Sequence, residues 1–158
     1  MPLSHIRVVD LCRARTGPTC IRQLSEFGAQ VVKVEPPEGD WGRNMGTAIA
    51  GMSPMAHSYN RGKRSLAIDL KAPGSVEKLK PLIESADVVI EQFRPGVMDR
   101  LGLGYAALKA INPRIIYCAI TGYGQTGPKA QIAAHDLNYV AESGLLAIAA
   151  DGNGAPVV

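Results

Sequence analysis

Short apolar runs alternate along this chain with stretches of helical periodicity, and that alternation limits the fold more than any other feature. Residues 6–11, 31–34, 65–70, 86–90 and 114–120 read as strands, each short and carrying Val or Ile. Residues 18–27 read as a helix, with Pro18 near its first turn and Gly28 past its end. Residues 73–85 read as a second helix that Pro81 is expected to kink or shorten. A short helix is expected over 105–111 and a longer one over 137–149. Strands joined through helices cannot pair as hairpins. They pair in parallel, with helices covering the sheet, so the fold class is α/β. Such sheets bind ligands beyond the carboxyl ends of their strands.

One segment breaks the rhythm. Residues 36–64 lack a clear period and hold five glycines and two adjacent prolines, so they read as a long loop or lid on a single domain spanning 1–158. The length of 158 residues suits one domain with a real core. Hydrophobic content of 46% and charged content of 20% argue against disorder. A net charge of +3 suits an anionic small ligand and is too weak to point to nucleic acid. Cys12, Cys20 and Cys118 have no metal-ligand spacing and read as reduced thiols, which fits a cytoplasmic protein with no metal site. No run is long and apolar enough to span a bilayer, so no membrane partner is expected.

The candidate chemistry lies at strand ends. Arg94 and Arg100 flank Pro95 and Gly96 directly after the fourth strand, and Lys71 follows the third. Guanidinium groups there suit phosphate oxygens, which they bind bidentately. Gly122, Gly124 and Gly127 match GxGxxG, but they follow the fifth strand. A dinucleotide fingerprint belongs after the first, so this reads as a turn that lets backbone approach a neighbour. His135 offers an imidazole, a side chain suited to proton transfer, although the adjacent Asp136 does not by itself make a pair with it. His5 and His57 have no evident context.

Several segments in order resemble the family III CoA-transferases, the group that includes formyl-CoA transferase, carnitine CoA-transferase and α-methylacyl-CoA racemase. They are Val8 to Leu11 (VVDL), Gly17 with Pro18, 24–37 (LSEFGAQVVKVEPP), 60–71 (NRGKRSLAIDLK), 86–105 (ADVVIEQFRPGVMDRLGLGY), 112–128 (NPRIIYCAITGYGQTGP), and His135 to Tyr139. The resemblance implies a Rossmann-like parallel sheet with flanking helices, in a homodimer whose subunits interlock. It implies a coenzyme A thioester as substrate and no prosthetic group. By position it implies CoA contacts from Ile68, Asp69, Leu70, Lys71, Gln92, Phe93, Arg94, Arg100, Ala134, Asp136, Leu137, Asn138 and Tyr139.

His135 is the residue on which the branches of that family divide. In racemase-like members a Gly-His-Asp-Ile-Asn-Tyr motif supplies one acid/base and an Asp about thirty residues later supplies the other. Here Ala134 replaces the Gly and Leu137 the Ile. In transferase-like members the later Asp is instead a nucleophile that forms an acyl-enzyme anhydride. His135 therefore makes a racemase-like enzyme of α-proton chemistry the leading reading. The long 40–60 segment points back to transfer, the alternative, and Pro36, where racemases carry an Arg, weakens the adenine or phosphate side of the racemase assignment. The later Asp is expected near 165, so the 158 residues read as an N-terminal portion with CoA affinity and little turnover. A non-catalytic CoA-binding fragment is the third reading.

Overall fold

The computed structural model describes residues 1–151 and 153–157. It divides into two compact units, Met1–Ile120 and Thr121–Val158.

The first unit is a five-stranded sheet in the order β3-β2-β1-β4-β5. Its strands are β1 (Arg7–Asp10), β2 (Gln30–Glu35), β3 (Arg64–Ala67), β4 (Val88–Glu91) and β5 (Ile116–Ala119). Every pairing is parallel, with Val8 opposite Val31 and Val88, and Ile90 opposite Cys118. Helices α1 (Thr16–Glu26), α2 (Pro54–Tyr59), α3 (Ser75–Glu84), α4 (Val97–Arg100) and α5 (Tyr105–Ile111) lie in the connections. The chain is an α/β protein with a parallel sheet and flanking helices, as its alternation requires.

Period-two alternation sends successive strand residues to opposite faces, and each face has its own core. Val9, Val34 and Val89 pack with Leu79 and Ile83 of α3, Met98 of α4 and Leu108 of α5. Val8, Val31 and Ile90 pack with Cys12 and with Ile21 of α1. Asn112 fastens the end of α3, its side-chain amide donating to the Ile83 carbonyl at 3.1 Å and the Ala86 carbonyl at 2.7 Å.

Pro81 stands inside α3, which at Ser75–Glu84 is shorter than the expected 73–85; the buried face carried by Leu79 and Ile83 holds the helix to the sheet while Pro81 is exposed. The 36–64 segment is more ordered than its sequence suggests. It contains a 3-10 turn at Trp41–Asn44 and then α2, whose N-cap Ser53 accepts the Ala56 N–H at 3.0 Å. Ion pairs tie it to β2: the buried pair of Lys33 with Asp40 at 2.9 Å, and Glu35 with the half-buried Arg43 at 2.5 Å. Residues 45–51 form the exposed tip.

The second unit holds α6 (Asp136–Glu142) and α7 (Leu145–Ile148). The single helix expected over 137–149 is split at Gly144, whose φ of 80° ends the helical path. Among the described residues no helix is long and apolar enough to cross a membrane.

Candidate functional site

The carboxyl edge of the sheet opens into a cavity of about 270 Å³. Four strand exits contribute to it. Leu11 and Arg13 follow β1, Glu35 and Pro36 leave β2, Ile68, Asp69, Leu70 and Lys71 follow β3, and Phe93 follows β4. Val97 and Leu101 close it from α4 and its end. A parallel sheet makes this place by construction, since all its loops of one kind gather at one edge. Asp69 shapes its own loop by accepting the Lys71 N–H at 2.9 Å.

The cavity joins the expected residues selectively. Ile68, Asp69, Leu70, Lys71 and Phe93 line it together. Arg100 meets Lys71 along an adjoining groove of about 370 Å³ that passes Gly74 and Ser75 at the start of α3. Arg94 is exposed on the turn and lines neither depression among the described residues. Gln92 is engaged elsewhere: its Oε1 accepts the Gly17 N–H at 3.1 Å, which pins the first turn of α1. A Cβ on Gly17 would come within 2.5 Å of that oxygen and 2.3 Å of the Cys12 sulfur, so only glycine fits there.

Sequence reasoning missed two features of this edge. Arg13 reaches the cavity and lies 5.7 Å over the Phe93 ring, a cation–π contact. An Arg two residues beyond the apolar run 6–11 was the available signal. The second feature is a set of buried carboxylates: Asp10, Glu35 and Glu91 each end a strand and each is at most 5% exposed. Asp10 pairs with Lys63 at 2.9 Å. Burial pushes the Glu35 carboxyl upward, but Arg43, the Ser65 hydroxyl and the Asp40 N–H outweigh it and hold the pKa at about 2. Burial raises Glu91 above the ordinary carboxylate range, against the Phe93 N–H and the Tyr117 hydroxyl. An acidic residue closing an apolar run is the sequence signal for all three.

A larger depression of about 710 Å³ is lined by Lys33, Arg43, His57, Arg61, Lys63 and Arg64. Four of these cations already have carboxylates: Asp40, Glu35, Glu26 and Asp10 pair with Lys33, Arg43, Arg61 and Lys63.

In the second unit, His135 is the exposed N-cap of α6, and its N–H donates to the Asn138 side chain at 2.9 Å. Asp136 stands in the first turn, where a negative charge suits the helix dipole. Leu137 and Asn138 are exposed, and the half-buried Tyr139 donates its hydroxyl to the Ala134 carbonyl at 3.3 Å. Among the described residues no salt bridge joins His135 to a carboxylate. Ala134 is not among the residues with positive φ, so the Gly-to-Ala difference from the racemase-like motif carries no backbone strain. Gly122 has a packing reason: a Cβ there would fall 1.9 Å from the Tyr139 hydroxyl oxygen. The glycine turn thus lets backbone pass against Tyr139, whose ring meets Tyr123 edge-on at 5.1 Å.

The profile of CoA-transferase family III matches residues 3–158. Succinate–glutarate CoA-transferase of Agrobacterium fabrum is 42% identical over 164 residues, covering 99% of this chain and 41% of that protein. Alpha-methylacyl-CoA racemase of Homo sapiens is also 42% identical, over 146 residues that cover 92% of this chain and 35% of that protein. A CaiB/BaiF family protein from Brucella suis superimposes with a TM-score of 0.93 at 40% identity, over 100% of this chain and 43% of that one. The chain therefore spans about two fifths of the length of these relatives. With the profile running almost from end to end, and the same sheet found in a solved CaiB/BaiF structure, this chain belongs to CoA-transferase family III.

Proposed function

We propose that this chain holds the nucleotide end of coenzyme A in an enzyme that moves CoA between carboxylic acids. One observation carries the CoA part: a cavity at the carboxyl edge gathers Ile68 to Lys71 with Phe93 and Arg13, beside a groove shared by Lys71 and Arg100. A planar base stacks well on an aromatic ring and on a guanidinium, and Phe93 with Arg13 supplies both. Lys71 and Arg100 then meet the phosphates. Arg13 also brings to the cavity a guanidinium that Pro36, in the same wall, cannot.

Transfer is supported by the alignment with the Agrobacterium succinate–glutarate transferase, which runs over 99% of the chain. His135 favours a second reading, in which its imidazole takes or returns a proton α to the thioester. Its exposure at the start of α6 leaves the side chain accessible for that work. The sheet serves either reaction, and a homodimer in the cytoplasm suits both.

Calorimetry with CoA tests the binding. The protein binds CoA, and Lys71→Ala and Arg100→Ala each weaken it about tenfold or more, as expected for lost charge-assisted bonds. No binding by the wild type, or no effect of either substitution, overturns the assignment. Incubation with a CoA donor, a second acid and D2O separates the reactions. CoA exchange that depends on the acid means transfer, whereas deuterium uptake without exchange that His135→Ala abolishes means α-proton chemistry.

A further inference from the structure

β2, β1 and β4 lie side by side, and their last residues share a device. Each carboxylate accepts an N–H from the loop that leaves its own strand. Glu35 accepts from Asp40 at 2.9 Å, Asp10 from Cys12 at 2.8 Å, and Glu91 from Phe93 at 2.6 Å. A loop that begins at a buried backbone donor needs such an acceptor, because an unmet N–H there is costly. For Glu35 and Asp10 a cation completes the arrangement, Arg43 and Lys63 respectively.

Glu91 differs. Among the described residues no Lys or Arg pairs with it, and its second oxygen accepts the Tyr117 hydroxyl at 3.1 Å. The titratable groups that act on it or feel it are Tyr117 and Cys118 on β5, Asp99 on α4, and Cys12 beyond β1. Both neighbours bonded to the carboxylate are donors. The ionised form satisfies both as they stand, whereas protonation turns one oxygen into a donor and forces the Tyr117 hydroxyl to reverse and accept, so the brace is remade. The next residue grips the same turn from the other side, with Gln92 accepting the Gly17 N–H. What the gripped turn presents is Phe93, in the cavity wall with Arg13 above its ring.

We propose that Glu91 is a positioning residue for the nucleotide end of CoA: its carboxylate, braced by Tyr117, sets the turn that holds Phe93 against Arg13. This rests on the reading that the cavity takes CoA. Glu91 touches no ligand in this role, so its effect reaches binding through the turn. Glu91→Gln keeps the shape and removes the charge, and Tyr117→Phe removes only the brace.

The test is calorimetry on the full chain with CoA and with adenosine bisphosphate, the nucleotide half of CoA, from about pH 5 to 8. Both variants stay folded by circular dichroism and bind both ligands weaker by one shared factor, about three- to tenfold. The affinity advantage of the wild type over Glu91→Gln shrinks as the pH falls, because only the wild type has a carboxyl to protonate. A residue that served stability alone would lower the melting temperature and leave both affinities and their pH dependence unmoved. If the wild type binds CoA while both variants bind both ligands within about twofold, this proposal is overturned and the cavity assignment stands. If the wild type binds neither ligand, the cavity assignment falls and takes the proposal with it.

Discussion

Glu35 accepts from the Arg43 guanidinium at 2.8 and 2.5 Å, from the Asp40 N–H at 2.9 Å, and from the Ser65 hydroxyl. Its folded pKa of about 2 lies below the ordinary 4.5. A depressed carboxylate stabilises the fold above its unfolded pKa and loses that contribution as pH falls toward the folded one. Urea unfolding of the wild type against Glu35→Gln therefore shows a gap that is steady above pH 4.5 and closes between there and about pH 2, by up to about 3 kcal/mol. A gap independent of pH in that window would show that Glu35 acts through packing alone. The sequence named Lys71 and Arg100 because surface cations at strand ends stand out by type. It passed over Asp10, Glu35 and Glu91 because burial is a property of neighbours, and a carboxylate closing an apolar run looks like the start of a loop.

Among the elements, α3 sets helix propensity against packing most directly. Pro81 has no N–H to give the Glu77 carbonyl, yet Leu79 and Ile83 on either side are each 1% exposed and keep the helix against the sheet. Pro81→Ala restores the bond at an exposed position, at the cost of a freer unfolded chain. The expected net gain is about 1–2 kcal/mol, read as a higher melting temperature in thermal unfolding. A fall instead would mean that α3 depends on the proline geometry. The strands were legible because each apolar run is bounded by turn residues, and α5 was legible to the residue over Tyr105–Ile111. α4 was not, since four residues from Val97 to Arg100 make a single turn too short to show a period. The order within 36–64 was hidden for another reason: its anchors Asp40, Arg43 and Lys63 act through side-chain pairs with Lys33 and Glu35 on β2 and Asp10 on β1, which no periodicity reveals.

At the scale of the whole molecule the two units differ in how much they bury. In Met1–Ile120 the central strands place Val8, Val9, Val31 and Val89 at 2% exposure or less. In Thr121–Val158 neither α6 nor α7 has a buried residue, and Leu137, Leu145 and Ile148 are 47%, 54% and 81% exposed. Apolar burial is the main favourable term in folding, so local stability should follow this contrast. The cavity and groove residues proposed to hold CoA, between Arg13 and Arg100, then sit on the stable unit, whereas His135 and the other expected contacts from Ala134 to Tyr139 sit on the labile one. Hydrogen exchange on the 158-residue chain puts the slowest amides in β1, β2 and β4, opening only with global unfolding, while α6 and α7 exchange early through local opening. Adding CoA slows exchange around 68–71 and 91–93, because a ligand that binds only the folded form adds to its stability. Protection of α6 equal to that of β1 in the free chain would contradict the contrast in burial. In that case His135 would be held as firmly as the sheet, and its reach toward a substrate would be fixed by the fold before any ligand arrived.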